Sequence, residues 1–110
     1  MGCCRMKMIR AIIRPEAVDR VADNLEAGGF TALTRIEVFG RGKQKGIKVG
    51  DMVYDNLPKT MLMMVVDDAK LEGAVKIIED SARTGNIGDG KIFITTVEEA
   101  YTIRTGARGL

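Results

Sequence analysis

Leu57–Val66 (LPKTMLMMVV) decides how the chain folds. Its second half, Leu62–Val66, is apolar at nearly every position, so the strand it forms needs cover on both faces. The period then changes. Asp67 or Asp68 can cap a helix, and Leu71, Val75, Ile78 and Ala82 recur along one helical face. Past the glycines of Thr84–Gly90, Lys91–Val97 reads as a further strand. The same order stands upstream. Met6–Arg14 (MKMIRAIIR) alternates loosely, is rich in β-branched residues towards its end, and stops at Pro15, which suits the first turn of a helix. From Glu16 to Ala27 the apolar residues Val18, Val21, Ala22 and Leu25 keep helical spacing until Gly28-Gly29 ends the run. Phe30–Phe39 reads as the second strand, with Thr31, Leu33, Ile36 and Val38 among its β-formers. Gly40–Asp55, with four glycines and several lysines, is a long polar loop. A short helical turn near Glu98–Ala100 and a brief extended tail at Thr102–Thr105 are expected to complete the chain.

Two βαβ halves in succession give an α+β fold. It is a ferredoxin-like βαββαβ sandwich, with a long loop between the second and third strands. Two helices cover one face of a four-stranded antiparallel sheet. A two-layer domain leaves the other face bare, and a bare apolar face predicts self-association without fixing the number of subunits. The Met61–Met64 cluster belongs to that core or interface. All 110 residues form one domain, residues 1–5 being a frayed extension and residues 41–55 a mobile loop.

Composition narrows the function. A hydrophobic share of 45%, a charged share of 29% and a net charge of +2 describe a soluble globular chain, with too weak a positive balance to argue for nucleic acid. With no tryptophan, two tyrosines and three phenylalanines, no base-stacking surface is expected. No apolar run approaches the ~20 residues that span a bilayer, and no signal-peptide layout opens the chain, so the cytoplasm is the expected compartment. Met1-Gly2 opens like a myristoylation signal, but Met6 stands where Ser or Thr is wanted. Cys3 and Cys4 are adjacent, and with no histidine in the chain they make neither a zinc site nor a hydrolytic triad.

Two glycine-rich segments carry the chemistry. In Gly40–Gly46 (GRGKQKG) three glycines let backbone N–H groups approach an anion while Arg41, Lys43 and Lys45 supply charge; a solvated basic turn is the plainer reading. It is no P-loop, because Ile47 follows Lys45 and Gly46, and no Rossmann turn, because it joins two strands. In Thr84–Lys91 (TGNIGDGK) a helix cap explains Gly85 but not Gly88 and Gly90, and Lys91 is placed to neutralise a phosphate. Two such loops, with Arg104 and Arg108 as further cations, suggest a polyphosphate ligand: a nucleotide or a phosphorylated metabolite. No positioned general base points to catalysis.

Thr84–Val97 (TGNIGDGKIFITTV) resembles the C-terminal signature of the PII nitrogen-regulatory proteins. Ile9–Pro15 (IRAIIRP), Gly42–Gly46 (GKQKG), Leu57-Pro58-Lys59 and Ile103–Gly106 (IRTG) extend the resemblance over nearly all the chain from Met6. It implies a PII-type trimer with ATP or ADP in the clefts between subunits. Gly42, Lys43, Gln44 and Lys45 would touch the nucleotide at the base of the loop. Gly88, Asp89, Gly90 and Lys91 would wrap its phosphates, with Arg104 reaching across from the neighbouring subunit and Thr34 and Val65 beside the adenosine. The resemblance also implies 2-oxoglutarate bound through the Mg2+ of Mg-ATP. There Gln44 would coordinate the metal, Lys59 would pair with a carboxylate, and backbone amides of Gly42–Gly46 with Gly88 would hold the remaining oxygens.

The chain departs from the common bacterial pattern. Thr102 replaces the first arginine of an RIRTG run, so Arg108 becomes a candidate replacement contact. The loop between Gly46 and Lys59 is shorter, and Met52 stands near the place of the modified tyrosine, with Tyr54 closer to the strand, which argues against uridylylation. The short GRGKQKGIKVG loop with YTIRTG resembles the NifI subgroup, the first and shorter paralogue of a pair. That likeness implies a non-catalytic regulator that inhibits nitrogenase by binding its dinitrogenase component, acting as a homotrimer or with a paralogous PII subunit. 2-Oxoglutarate with Mg-ATP would relieve the inhibition. The alternatives are a general PII regulator of an ammonium transporter or glutamine synthetase, and a small ferredoxin-like nucleotide-using enzyme.

Overall fold

The middle of the sheet comes from two apolar stretches far apart in sequence. In the computed structural model, which describes residues 5–40, 47–49, 52–54 and 57–110, β1 (Met6–Ile13) lies antiparallel to β5 (Leu57–Asp67). Ile9 stands opposite Met64 and Ala11 opposite Leu62. On the outer sides, β2 (Thr34–Gly40) pairs with β5 and β6 (Gly90–Val97) with β1, giving a sheet ordered β2-β5-β1-β6, antiparallel throughout. This is the ferredoxin-like α+β arrangement that the order of apolar segments predicts.

Alternation along the strands separates two faces. Ile9, Ala11 and Ile13 of β1 and Leu62, Met64 and Val66 of β5 point to the helices, each no more than 5% exposed. There they meet Val18, Val21 and Leu25 of α1 (Val18–Ala27) and Ala74, Ile78 and Ala82 of α2 (Leu71–Ala82). The helices are tied at their sides: Arg20 Nε donates to the Ser81 carbonyl at 2.5 Å, and Asn24 Nδ2 to the Ser81 hydroxyl at 2.8 Å. Burying a Leu or Ile side chain contributes about 1.5–3 kcal/mol, so this layer holds the domain together. The register puts Ile36, Met61, Met63, Ile12 and Phe93 on the opposite face, where Ile36 remains 39% and Phe93 48% exposed. The predicted bare apolar face is present.

Several elements differ from the sequence reading. The second strand begins at Thr34, not Phe30, because the Phe30 N–H returns to the Leu25 carbonyl (2.8 Å) and closes the end of α1 across Gly29, whose φ is 95°. Phe30 and Leu33 pack against the core from this crossing segment. Neither Asp67 nor Asp68 caps α2 with its side chain. β5 continues through Asp67, a 3-10 turn (Asp68–Lys70) intervenes, and the Asp68 N–H donates to the Arg5 carbonyl instead. A similar turn, Pro15–Ala17, precedes α1. No helical turn forms at Glu98–Ala100, and Thr102–Thr105 is not extended. The tail folds back on itself, with Tyr101 bridged to Arg108 and a turn between them. Within the stretch read as a loop, β3 (Ile47–Val49) and β4 (Met52–Tyr54) form an antiparallel ladder, Ile47 opposite Tyr54. The rest of the 41–55 loop, and residues 1–4 of the expected N-terminal extension, lie outside the described residues. Among the described residues no helix is long and apolar enough to cross a membrane.

Candidate functional site

At one end of the sheet the chain leaves β1, enters β5, enters β6 and departs from β2 towards residues 41–56. Four strand ends thus gather around the Thr84–Gly90 loop that follows α2. The carboxylate of Asp89 organises this loop from within. It accepts from the Thr84 N–H at 2.7 Å, the Gly85 N–H at 2.8 Å and the Thr84 hydroxyl. These donors favour the charged form, the Thr84 hydroxyl most, and with the nearby Arg14 they hold the Asp89 carboxyl well below the usual carboxylate range despite partial burial.

Two cations grip successive carbonyls of the same loop. Arg14, from the end of β1, donates from Nη2 to the Ile87 oxygen at 2.8 Å and from Nε to Asp89 Oδ1 at 3.3 Å. Lys59, near the start of β5, donates from Nζ to the Gly88 oxygen at 2.6 Å. Partial burial, and then the neighbouring Arg14 charge, push the Lys59 ammonium pKa down, while Glu16 and Asp89 act the other way. An ammonium made less comfortable by a second cation is one that an arriving anion would restore.

The glycines have separate tasks here. Gly88 is the third residue of a turn closed by the Asp89 N–H on the Asn86 carbonyl (3.3 Å), and its φ of 104° is the conformation a type II turn requires there. Among the described residues its own N–H has no partner. Gly90 has φ 115°, and a Cβ there would lie within 2.9 Å of the Ile12 carbonyl carbon. Only glycine lets β6 enter the sheet beside β1 at this point. Beyond it, an open groove of about 430 Å³ runs between α2 and β6, floored by Ile78, Ala82 and Ile92, with Asp89, Gly90 and Lys91 along its lining.

The structure therefore gathers Lys59, Gly88, Asp89, Gly90 and Lys91 at one end and adds Arg14, to which the sequence reading gave no role. The signal was available as a cation ending a strand directly before Pro15, but nothing local ties it to a loop 75 residues away. Thr34 and Val65 lie elsewhere. Thr34 opens β2 opposite Met63, and Val65 stands near the other end of β5 opposite Met8. Arg104 sits on the turn of the tail that follows β6 from that far end. Gly42, Lys43, Gln44, Lys45 and Gly46, and with them the expected Mg2+ contact of Gln44, lie outside the described residues. Ammonium groups, an unpaired amide and a loop with glycine at three of its positions suit a polyphosphate or carboxylate.

Comparison with known proteins bears on the family. Residues 6–107 match the family model described as Nitrogen regulatory protein P-II. The chain is 61% identical over 105 residues to "Nitrogen fixation nifHD region GlnB-like protein 1" of Methanothermobacter marburgensis, covering 96% of this chain and all of the relative. It is 58% identical, with the same coverage, to "Nitrogen fixation nifHD2 region GlnB-like protein 1" of Methanosarcina barkeri. Among solved structures, Arabidopsis thaliana PII bound to citrate superposes with a TM-score of 0.82 at 32% identity, covering 96% of this chain and 90% of that one. With its fold, loop signature and relatives in accord, the chain belongs to the PII family of nitrogen-regulatory proteins, which are signalling regulators and not enzymes.

Proposed function

We propose that the chain is a sensor of ATP or ADP and 2-oxoglutarate that restrains nitrogenase in the cytoplasm by binding its dinitrogenase component. One observation carries the ligand half of this reading: the candidate residues fall into two separated sets. Lys59 and the 84–91 loop would hold phosphates and a carboxylate, whereas Thr34 and Val65 lie farther along the sheet and Arg104 is on the tail that follows β6. Lys59 and Val65 are six residues apart on one strand, about 20 Å at ~3.3 Å per residue. A nucleotide whose phosphates meet the loop needs its adenosine contacts from a second copy. The bare face with Ile36 and Phe93 supplies a reason for copies to associate, and a homotrimer, or an assembly with a paralogous PII subunit, is the form we favour.

Mg2+ arriving with ATP would neutralise phosphate charge, with Gln44 the side chain to meet it and Lys59 left free for the effector's carboxylate. The citrate held by the Arabidopsis relative is a polycarboxylate, which is compatible with that preference. The 41–55 segment then presents one partner surface or another according to ligand. Such coupling needs differential affinity between the two states, commonly about 1–3 kcal/mol. The nitrogen-fixation naming of the relatives favours nitrogenase as the target over an ammonium transporter or glutamine synthetase.

Calorimetry with ATP, ADP and 2-oxoglutarate, with and without Mg2+, tests the sensor. Binding of ATP, and of 2-oxoglutarate only in its presence, is expected; no heat with any nucleotide would overturn the reading. Lys59→Ala should lose 2-oxoglutarate before ATP. For the partner, dinitrogenase should be retained on the immobilised protein and released by 2-oxoglutarate plus Mg-ATP, and equal retention in both conditions would sink that half alone.

A further inference from the structure

Peptide groups are planar and, among the described residues, all trans, so a carbonyl and the N–H of the same peptide point in opposite directions. The 87–88 peptide is the central one of the turn at Asn86–Asp89, and it is the peptide that flips between type I and type II turns. Gly88 at φ 104° places it in the type II sense. Glycine alone does not choose that sense, because it occupies positive and negative φ about equally well. A choice therefore needs something that holds one end of the peptide.

Arg14 holds it. Its Nη2 takes the Ile87 carbonyl at 2.8 Å, and its Nε takes Asp89 Oδ1 at 3.3 Å, so one planar guanidinium spans the two sides of the turn. Both side chains of the ion pair are largely buried, at 24% and 23% exposure, which shields that half of the grip from solvent screening. Asp89 is fixed in turn by Thr84 and Gly85, which anchors the second point. With the Ile87 carbonyl drawn to Arg14, the Gly88 N–H must face away from it, and among the described residues that N–H is unpaired. We propose that Arg14 is the positioning residue of the 84–90 loop, setting the 87–88 peptide so that the Gly88 N–H, and not the Ile87 carbonyl, meets the bound phosphate. Released from Arg14, the peptide can turn over and offer a carbonyl oxygen to an anion. The role assigned to the phosphate rests on the nucleotide reading above; the orientation of the peptide does not.

Arg14→Lys and Arg14→Ala separate this role from plain attraction. Lysine keeps the charge but cannot reach both acceptors with one planar group. In both full-length variants we expect ATP affinity, measured by calorimetry, to fall by about tenfold, the lower end of the loss when a partner that orients a metal ligand is removed. The Gly88 amide resonance of 15N-glycine-labelled protein should move without ligand, while circular dichroism stays as in the parent. ATP affinity of Arg14→Lys equal to the parent's would mean that charge alone matters and would overturn the proposal. So would an unmoved Gly88 resonance in either variant. If the parent itself binds neither ATP nor ADP, the nucleotide reading fails, and the Gly88 resonance still decides whether Arg14 sets the peptide.

Discussion

The two ends of the sheet are built from the same four strands and could hardly be less alike. At one, Arg14, Lys59 and Asp89 join strand ends to the 84–90 loop through contacts that span 29 to 75 residues of sequence. At the other, Thr34 is exposed, Val65 half-buried on the bare face, and Arg104 exposed on a tail that bonds mainly to itself. The first end is crosslinked within one chain, its side chains holding the loop while the Gly88 N–H is left for a ligand. The second has candidate ligand residues with nothing yet to touch. A site divided in this way makes stability and affinity separable. Changes at the crosslinked end should cost both, and changes at the open end should cost affinity alone.

Gly90→Ala should give the largest effect. The new Cβ would press on the Ile12 carbonyl while φ stays at 115°, so strain and overpacking add at the first rung of β6. A loss of about 2–4 kcal/mol in denaturant unfolding is expected, together with loss of ATP binding. Gly85→Ala, at φ 89° but with open space around the added methyl, should cost less. Equal costs would show that the close approach to Ile12 is not what makes position 90 special, and the crosslinked end would lose its tightest contact.

The contrast between the ends also explains what the sequence could tell. The strand and helix order is legible because periods of two and 3.6 are local, and Ile9, Val21 and Ile78 fall where those periods place them. The bare face was legible for the opposite reason, the lack of alternation in Leu62–Val66. The β-forming residues of Phe30–Leu33 serve a helix exit and a core contact, which propensity does not distinguish from a strand. The aspartates before α2 do not serve as its cap because the strand takes the first of them: Asp67 is still paired with Met6. Gly88, Asp89 and Lys91 were found as a motif, yet the loop's internal use of the Asp89 carboxylate, and Arg14 with it, depends on a fold that brings position 14 to position 89.

A middling effect is expected from Asp89→Asn, and its sign with pH is informative. The Asp89 carboxyl has a folded-state pKa below its unfolded value, so the folded form binds its proton less readily than the unfolded form does. Its stabilisation is then fully present above the unfolded value of about 3.9 and is lost as pH falls towards the folded one. Unfolding followed from neutral pH downwards should show the parent more stable than Asp89→Asn, with the gap closing below about pH 4. A gap that persists unchanged in acid would mean that the carboxylate's charge is not what holds the loop. It would also remove the main electrostatic distinction between the two ends.

Thr34→Ala and Arg104→Ala should have the smallest effect on stability and are the sharpest test of the division. Neither residue is buried, and no hydrogen bond from either side chain is found among the described residues, so stability should stay within about 0.5 kcal/mol of the parent. Affinity for ATP should nevertheless fall, because in an assembly these residues would face the loop of another copy. The decisive form of the experiment mixes two defective proteins. Arg104→Ala has an intact loop end and Lys91→Ala an intact far end. If each site takes one end from each of two chains, mixed assemblies contain some clefts with both ends intact, and mixing should restore a fraction of the parent's ATP sites. Were each site built within one chain, every cleft in the mixture would carry one defect and no recovery would appear. Recovery after subunit exchange would place the two ends in one site across a subunit boundary, which no measurement on an isolated chain can do.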